Sequence, residues 1–152
     1  ITADLNGGEP YVLYDEGHIS HYWWLGPEEI LAYSTHSDSG SHYHRYRDRE
    51  GRTGIVGENI LIEDGHPSVN SGGRMMITDS YPDPYLERTL MLYDLEKEAL
   101  RKVGRFYSPP GMTGEIRCDL HPRWSPKGGM VCVDSAHVGR RQMCVIDFGN
   151  WH

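Results

Sequence analysis

The feature that most constrains this chain is an internal repeat. Residues 66–80, HPSVNSGGRMMITDS, lie without a gap on residues 121–135, HPRWSPKGGMVCVDS. His-Pro opens both copies, a glycine turn and an apolar run follow at the same places, and Asp-Ser closes both. The partner runs also match, Leu92-Tyr93-Asp94-Leu95 against Val145-Ile146-Asp147-Phe148. A weaker third copy, HYWWLGPEEILAYST, starts at His21, so the starts are 45 and 55 residues apart. Each copy reads as strand, Pro/Gly turn, strand, which is the pattern of an antiparallel meander. A period of this length marks propeller-type sheets in which each unit is one blade. The expected fold is therefore all-β: a β-propeller of antiparallel four-stranded blades. The chain covers about three of them, at 18–60, 61–115 and 116–152, as parts of a single domain.

Within this frame, Ser20 to Leu25 is the inner strand of the first repeat and Ile30 to Ser34 its partner. Residues 49–59 read as a loop, Leu100 to Phe106 as a strand, and little helix is expected anywhere. Propellers typically close with about four to eight blades. The remaining blades are thus expected from a longer chain or a partner chain. The chain starts at Ile1 without Met or a signal-peptide pattern, as a processed chain or a piece of a longer one does.

The repeat sets three histidines at one phase: His21, His66 and His121. The innermost strands of a propeller line its channel, so equivalent positions on successive blades converge. Three imidazoles with the Cys118 thiol beside the third supply the ligands of a tetrahedral zinc-type site. The alternative is that each histidine caps its own turn. Cys132 and Cys144 fall in neighbouring strands and read as small hydrophobes, and the odd count of 3 cysteines leaves no complete disulfide framework.

A net charge of −7 argues against a nucleic-acid partner, and no apolar run approaches the ~20 residues that cross a membrane. Arg45, Arg47, Arg49 and Arg52 nevertheless form a local basic cluster. Alternation over 42–47 puts His42, His44 and Tyr46 on one strand face and Tyr43, Arg45 and Arg47 on the other. That run reads as a site for a sugar acid, or as a polar edge strand. Tyr22, Trp23 and Trp24 suit packing between sheets, the commoner use, or stacking on a sugar ring.

DGHPS at 64–68, TDSYPD at 78–83 and RCDLHPRWSPKG…VCVDSAHVGRRQM at 117–143 resemble the oligogalacturonate lyases and related β-propeller polysaccharide lyases, ulvan lyases included. SHYWW at 20–24 resembles their Thr-His-Glu-Phe-Trp stretch. The resemblance covers most of residues 18–148. It implies cleavage of uronic-acid-containing polysaccharide or oligosaccharide by β-elimination. That chemistry needs a positive group or metal on the carboxylate, a base, and an acid for the leaving oxygen. It places His21, His66 and His121 on the family's metal-region histidines. Asp119 and Ile116 stand where the family has a histidine and a glutamine, and Cys118 is new. Thiolate favours Zn2+, with Mn2+ as the alternative; an ion closed by His21, His66, Cys118 and His121 would be structural. Tyr43, His44 and Arg45 are the candidates for the chemistry, and Arg47 and Arg123 for binding a sugar carboxylate, Arg123 alternatively forming a surface salt bridge. The expected location is secreted or periplasmic, alternatively cytoplasmic. The competing reading is a non-catalytic TolB-like or WD-repeat-like propeller that binds protein or carbohydrate around a structural zinc. No Gly-x-Ser-x-Gly elbow is present to carry hydrolase chemistry.

Overall fold

A computed structural model describes residues 1–8 and 10–149. The chain forms two compact units, Ile1–Asp64 and the residues from Gly65 on. All regular structure is antiparallel β apart from one 3-10 turn, Gly114–Ile116, among the described residues. No helix among them is long and apolar enough to cross a membrane.

The first unit is one sheet in the order β1-β2-β3-β4: β1 Ile19–Trp24, β2 Glu29–His36, β3 Gly40–Arg47 and β4 Gly51–Val56. The expected loop at 49–59 thus contains a strand. Gly51-Arg-Thr-Gly54 lacks an apolar alternation, so β4 leaves no periodic signal, yet it pairs with β3 from Tyr43↔Val56 to Arg47↔Gly51. This pairing turns β3 into an interior strand. Tyr43, His44 and Tyr46 are buried as a result, and β3 is not a polar edge. The opposite holds at β1, which has only β2 as a neighbour. Tyr22 (62% exposed) and Trp24 (41%) stand open on this edge strand instead of packing between sheets. His21 falls where the β1–β2 register shifts, between Ile19 and Tyr22.

The second unit holds two sheets. One is β5-β6-β7-β8: β5 Ser68–Val69, β6 Met75–Asp79, β7 Glu87–Asp94 and β8 Ala99–Tyr107. The other, among the described residues, is β9-β10-β11: β9 Arg123–Trp124, β10 Met130–Ser135 and β11 Gln142–Asp147. The repeat is reproduced residue for residue. β5 lies one period before β9 and β6 one period before β10, and the turns between them place Gly73 (φ 72°) and Gly128 (φ 71°) in the left-handed region that glycine enters without steric cost. Ile77, Leu90 and Leu92 of the first sheet and Leu120, Val131, Val133 and Phe148 from the second segment share one apolar core.

The repeat also exposes a contrast. The pair Ile77↔Leu92 has the phase of the pair Cys132↔Val145. Leu92 is buried in the shared core, whereas Val145 is 60% exposed on the free face of its sheet, with Met130 and Met143 beside it. Equal sequence phase therefore carries unequal energy. In chemical denaturation of the 152-residue chain, where nothing among the described residues covers this face, Leu92→Ala is expected to cost about 2–5 kcal/mol, and Val145→Ala to stay within about 0.5 kcal/mol of wild type.

Candidate metal centre

The site is built on a buried carboxylate. The chain before β5 runs close against β6: a Cβ on Gly65 would meet the Asp79 carbonyl oxygen at 1.9 Å, so only glycine fits. This approach brings His66 onto Asp79, which is fully buried at the end of β6. The His66 backbone N–H donates to Asp79 Oδ1 at 2.8 Å. His66 Nδ1 lies 2.8 Å from Oδ1 and 3.1 Å from Oδ2. An ionised carboxylate only accepts, so Nδ1 carries the proton and Nε2 would be the atom offered to a metal. The backbone N–H of His121 donates to Asp79 Oδ2 at 3.2 Å. One side chain thus anchors two segments that are 55 positions apart in sequence.

His121 has φ 41°, in the left-handed region. Such a conformation in a non-glycine residue costs on the order of 1 kcal/mol and persists where the surroundings over-determine it. Here the bond to Asp79 and the close, tilted contact of the two rings, with centroids 3.9 Å apart, hold it. Asp119 completes the group. The ligand atoms offered by His66, Asp119 and His121 all lie within 4.8 Å of one another.

Asp119 is itself bracketed by two guanidinium groups. Arg88 of β7, 2% exposed, places Nη2 at 2.7 Å from Asp119 Oδ1. This ion pair lacks hydrogen-bond alignment, and Arg88 Nε, Nη1 and Nη2 have no aligned acceptor among the described residues. Arg117 directs Nη2 (2.7 Å) and Nε (2.9 Å) to the other oxygen, Oδ2. The Arg117 guanidinium lies 5.3 Å from the centre of the Tyr81 ring.

Two imidazoles and one carboxylate suit a divalent ion of borderline hardness. Asp79 behind His66 is the outer carboxylate that orients such histidines. The residues therefore fit a metal, and three protein ligands leave coordination positions open, as catalytic sites do and closed structural sites do not. The oxygen ligand in the group is Asp119; the adjacent Cys118 lies outside it. Cys118 is buried, and burial pushes its thiol up, away from the thiolate a metal needs, against the pull of Arg141. His21 belongs to the first unit, on β1.

The other sequence candidates take structural partners. Tyr43 is buried with its ring edge-on to Tyr33, 5.2 Å between centroids. His44 is buried, with Nδ1 2.8 Å from Ser34 Oγ and Nε2 3.2 Å from Ser39 Oγ. Ser34 Oγ also meets Tyr46 Oη at 2.7 Å, and His36 Nε2 meets the same phenol at 2.6 Å. Arg45 is half-buried. Arg47 faces Glu50 at 3.9 Å, and Arg123 pairs with Asp134 at 3.1 Å, the surface salt bridge that was its alternative role. A groove of about 830 Å³ in the second unit, lined by Arg74, Asp94, Trp124, Lys127 and Phe148, contains none of these candidates. Sequence reasoning missed Asp79, Arg88 and Arg117. The signal for Asp79 was present: Asp closes both strong repeats. Arg117 stands two residues before Asp119, the spacing that puts two side chains on one side of an extended chain; Arg88 left no signal, because nothing in its spacing relates it to Asp119.

Burial, reinforced by His36 and Arg52, lowers His44 from 6.5 to about 4. The unfolded chain then binds the proton more tightly than the folded one. The stability that neutral His44 contributes is complete above pH 6.5 and falls as pH drops through the interval down to about 4. Calorimetry from pH 7.5 to pH 4 is expected to show a larger Tm loss for wild type than for His44→Gln.

No protein-family model matches the chain, and no curated protein does. Solved structures do. TolB from Acinetobacter baumannii is 21% identical with a TM-score of 0.68, covering 97% of this chain and 34% of that one. An oligogalacturonate lyase from Vibrio parahaemolyticus is 15% identical with a TM-score of 0.64, covering 88% of this chain and 36% of that one. The chain thus spans about a third of the length of these structures. The likeness shows the fold: antiparallel β-propeller sheets, of which this chain supplies about three.

Proposed function

We propose that this chain is part of a metal-dependent polysaccharide lyase that cleaves uronic-acid-containing polysaccharide or oligosaccharide, of the oligogalacturonate or ulvan type, by β-elimination. The observation that carries this reading is the convergence of His66, Asp119 and His121 within 4.8 Å. The motifs at 64–68, 78–83 and 117–143, and the likeness to a lyase of the same fold, support it.

When bound, a divalent ion would neutralise the uronate carboxylate and so acidify the proton at C5. The chain's own residues do the rest of the positioning. Asp79 keeps the proton on Nδ1 of His66 and fixes the ring. Arg117, whose side chain is 47% exposed, supplies positive charge beside Asp119, where a sugar acid would approach. The ion in this reading is zinc, with manganese as the alternative; a two-nitrogen, one-oxygen set accepts either. A protein that acts on external polymer is secreted or periplasmic, and that is the location proposed. The exposed Met130, Met143 and Val145 suit a further blade from a longer chain or a partner chain.

The second reading is a non-catalytic TolB-like propeller that binds protein or carbohydrate. The higher TM-score of 0.68 to TolB favours it. Incubation of the full-length protein with polygalacturonate or ulvan separates the two. A chelator-sensitive rise in ultraviolet absorbance from a new C4–C5 double bond is expected for the lyase, and a flat trace with bound metal for the alternative. Metal analysis is expected to give about one ion per chain. His66→Ala and His121→Ala should each weaken retention by about 10-fold or more, whereas Cys118→Ser should leave it unchanged. Loss of metal in Cys118→Ser with retention in His66→Ala would overturn the ligand set.

A further inference from the structure

We propose that Arg117 is the receptor for a carboxylate-bearing ligand, and that this ligand and the metal at His66, Asp119 and His121 bind with positive linkage. The inference rests on the metal-centre reading above. It adds a receiving residue and a thermodynamic coupling.

The argument begins with the two unequal arginines on Asp119. Arg88 is buried with no exit to solvent, and it faces Oδ1. Arg117 faces Oδ2 and its side chain is 47% exposed. Both of its contacts to Asp119, from Nη2 and Nε, fall on that single oxygen, and the Tyr81 side chain is a further partner. A guanidinium fork matches the two oxygens of one carboxylate better than one oxygen of an occupied carboxylate. The Tyr81 ring backs the guanidinium plane, and Arg141 Nη2 holds the local backbone by donating to the carbonyls of Ile116 (3.0 Å) and Arg117 (2.8 Å). The side chain can therefore change partner while its base stays fixed.

An aspartate shared between two guanidinium cations is a weakened ligand for a third cation. A ligand carboxylate that takes the Arg117 fork frees Asp119 Oδ2, and the aspartate then has one cationic partner fewer when it meets the metal. Metal binding in turn draws Asp119 away and frees Arg117 for the ligand. Linkage makes the two effects equal in size. A sugar uronate is the ligand class that fits, with its carboxylate on the fork and its ring near Tyr81.

The test is the Zn2+ affinity of the full-length protein, by competition titration, alone and with saturating galacturonate or galactose. Wild type is expected to bind Zn2+ about fivefold or more tightly with galacturonate, and unchanged with galactose. Arg117→Gln is expected to bind Zn2+ at least as tightly as wild type without ligand and to show no galacturonate effect. A merely structural role for Arg117 would lower the Zn2+ affinity in that variant. Arg117→Lys, which keeps the charge without the fork, should lose most of the coupling. Zn2+ binding that galacturonate leaves unchanged overturns this proposal alone. Absence of Zn2+ binding with and without galacturonate overturns the metal centre and the proposal together.

Discussion

The buried Asp79 carboxylate is the interaction on which the rest of the site depends. An ionised group away from water is costly unless its oxygens are paired. Asp79 meets this demand with N–H donors alone: the backbone and Nδ1 of His66 and the backbone of His121. Each donor it requires is attached to a residue that the site requires. The need to satisfy one carboxylate therefore sets the tautomer of one histidine and the unusual backbone of the other. The two imidazoles converge because they are tied to the same acid, and their sequence phase only makes that possible.

The repeat explains why, among the described residues, the two histidines are gathered at one carboxylate and not at one per copy. Asp134 has the phase of Asp79, but it pairs with Arg123, whose counterpart in the preceding copy is Ser68. Leu120 has the phase of Gly65; it is buried in the core and its carbonyl accepts from the Asp134 N–H at 2.8 Å. At Gly65 the missing Cβ lets the chain lie against the Asp79 carbonyl. The copy at 66–80 is therefore specialised to hold its histidine by a carboxylate, and the copy at 121–135 to present its own histidine to that same carboxylate. Divergence at two or three positions on a shared backbone is enough to make this difference.

How far the residues alone reveal this follows from the kind of signal each leaves. Strands and turns that repeat are legible, because Gly73 and Gly128 occupy one phase and the apolar runs after them coincide. The approach of His66 to His121 is legible for the same reason. β4 is not, since Gly51 to Gly54 carries no alternation, and with it the burial of Tyr43 and His44 stays hidden. The exposure of Tyr22 and Trp24 depends on which neighbours a strand has, and an aromatic residue reads alike at an edge and in a core. That Asp119 is grouped with the two imidazoles depends on which of two adjacent side chains turns toward them, and their order along the chain does not decide it.

That choice changes the character of the centre. A thiolate closing a ring of histidines would make a full tetrahedral set, which staples blades and exchanges nothing. A carboxylate already engaged by two arginines does the reverse. With a metal bound it would leave coordination positions open, and the strength of the site would depend on whatever else the arginines hold. Arg88 is buried beside Oδ1 without an aligned acceptor. Arg117, at the surface, remains the adjustable partner. A centre assembled in this way is suited to respond to an acidic ligand, which is a property of a binding or catalytic site more than of a structural pin.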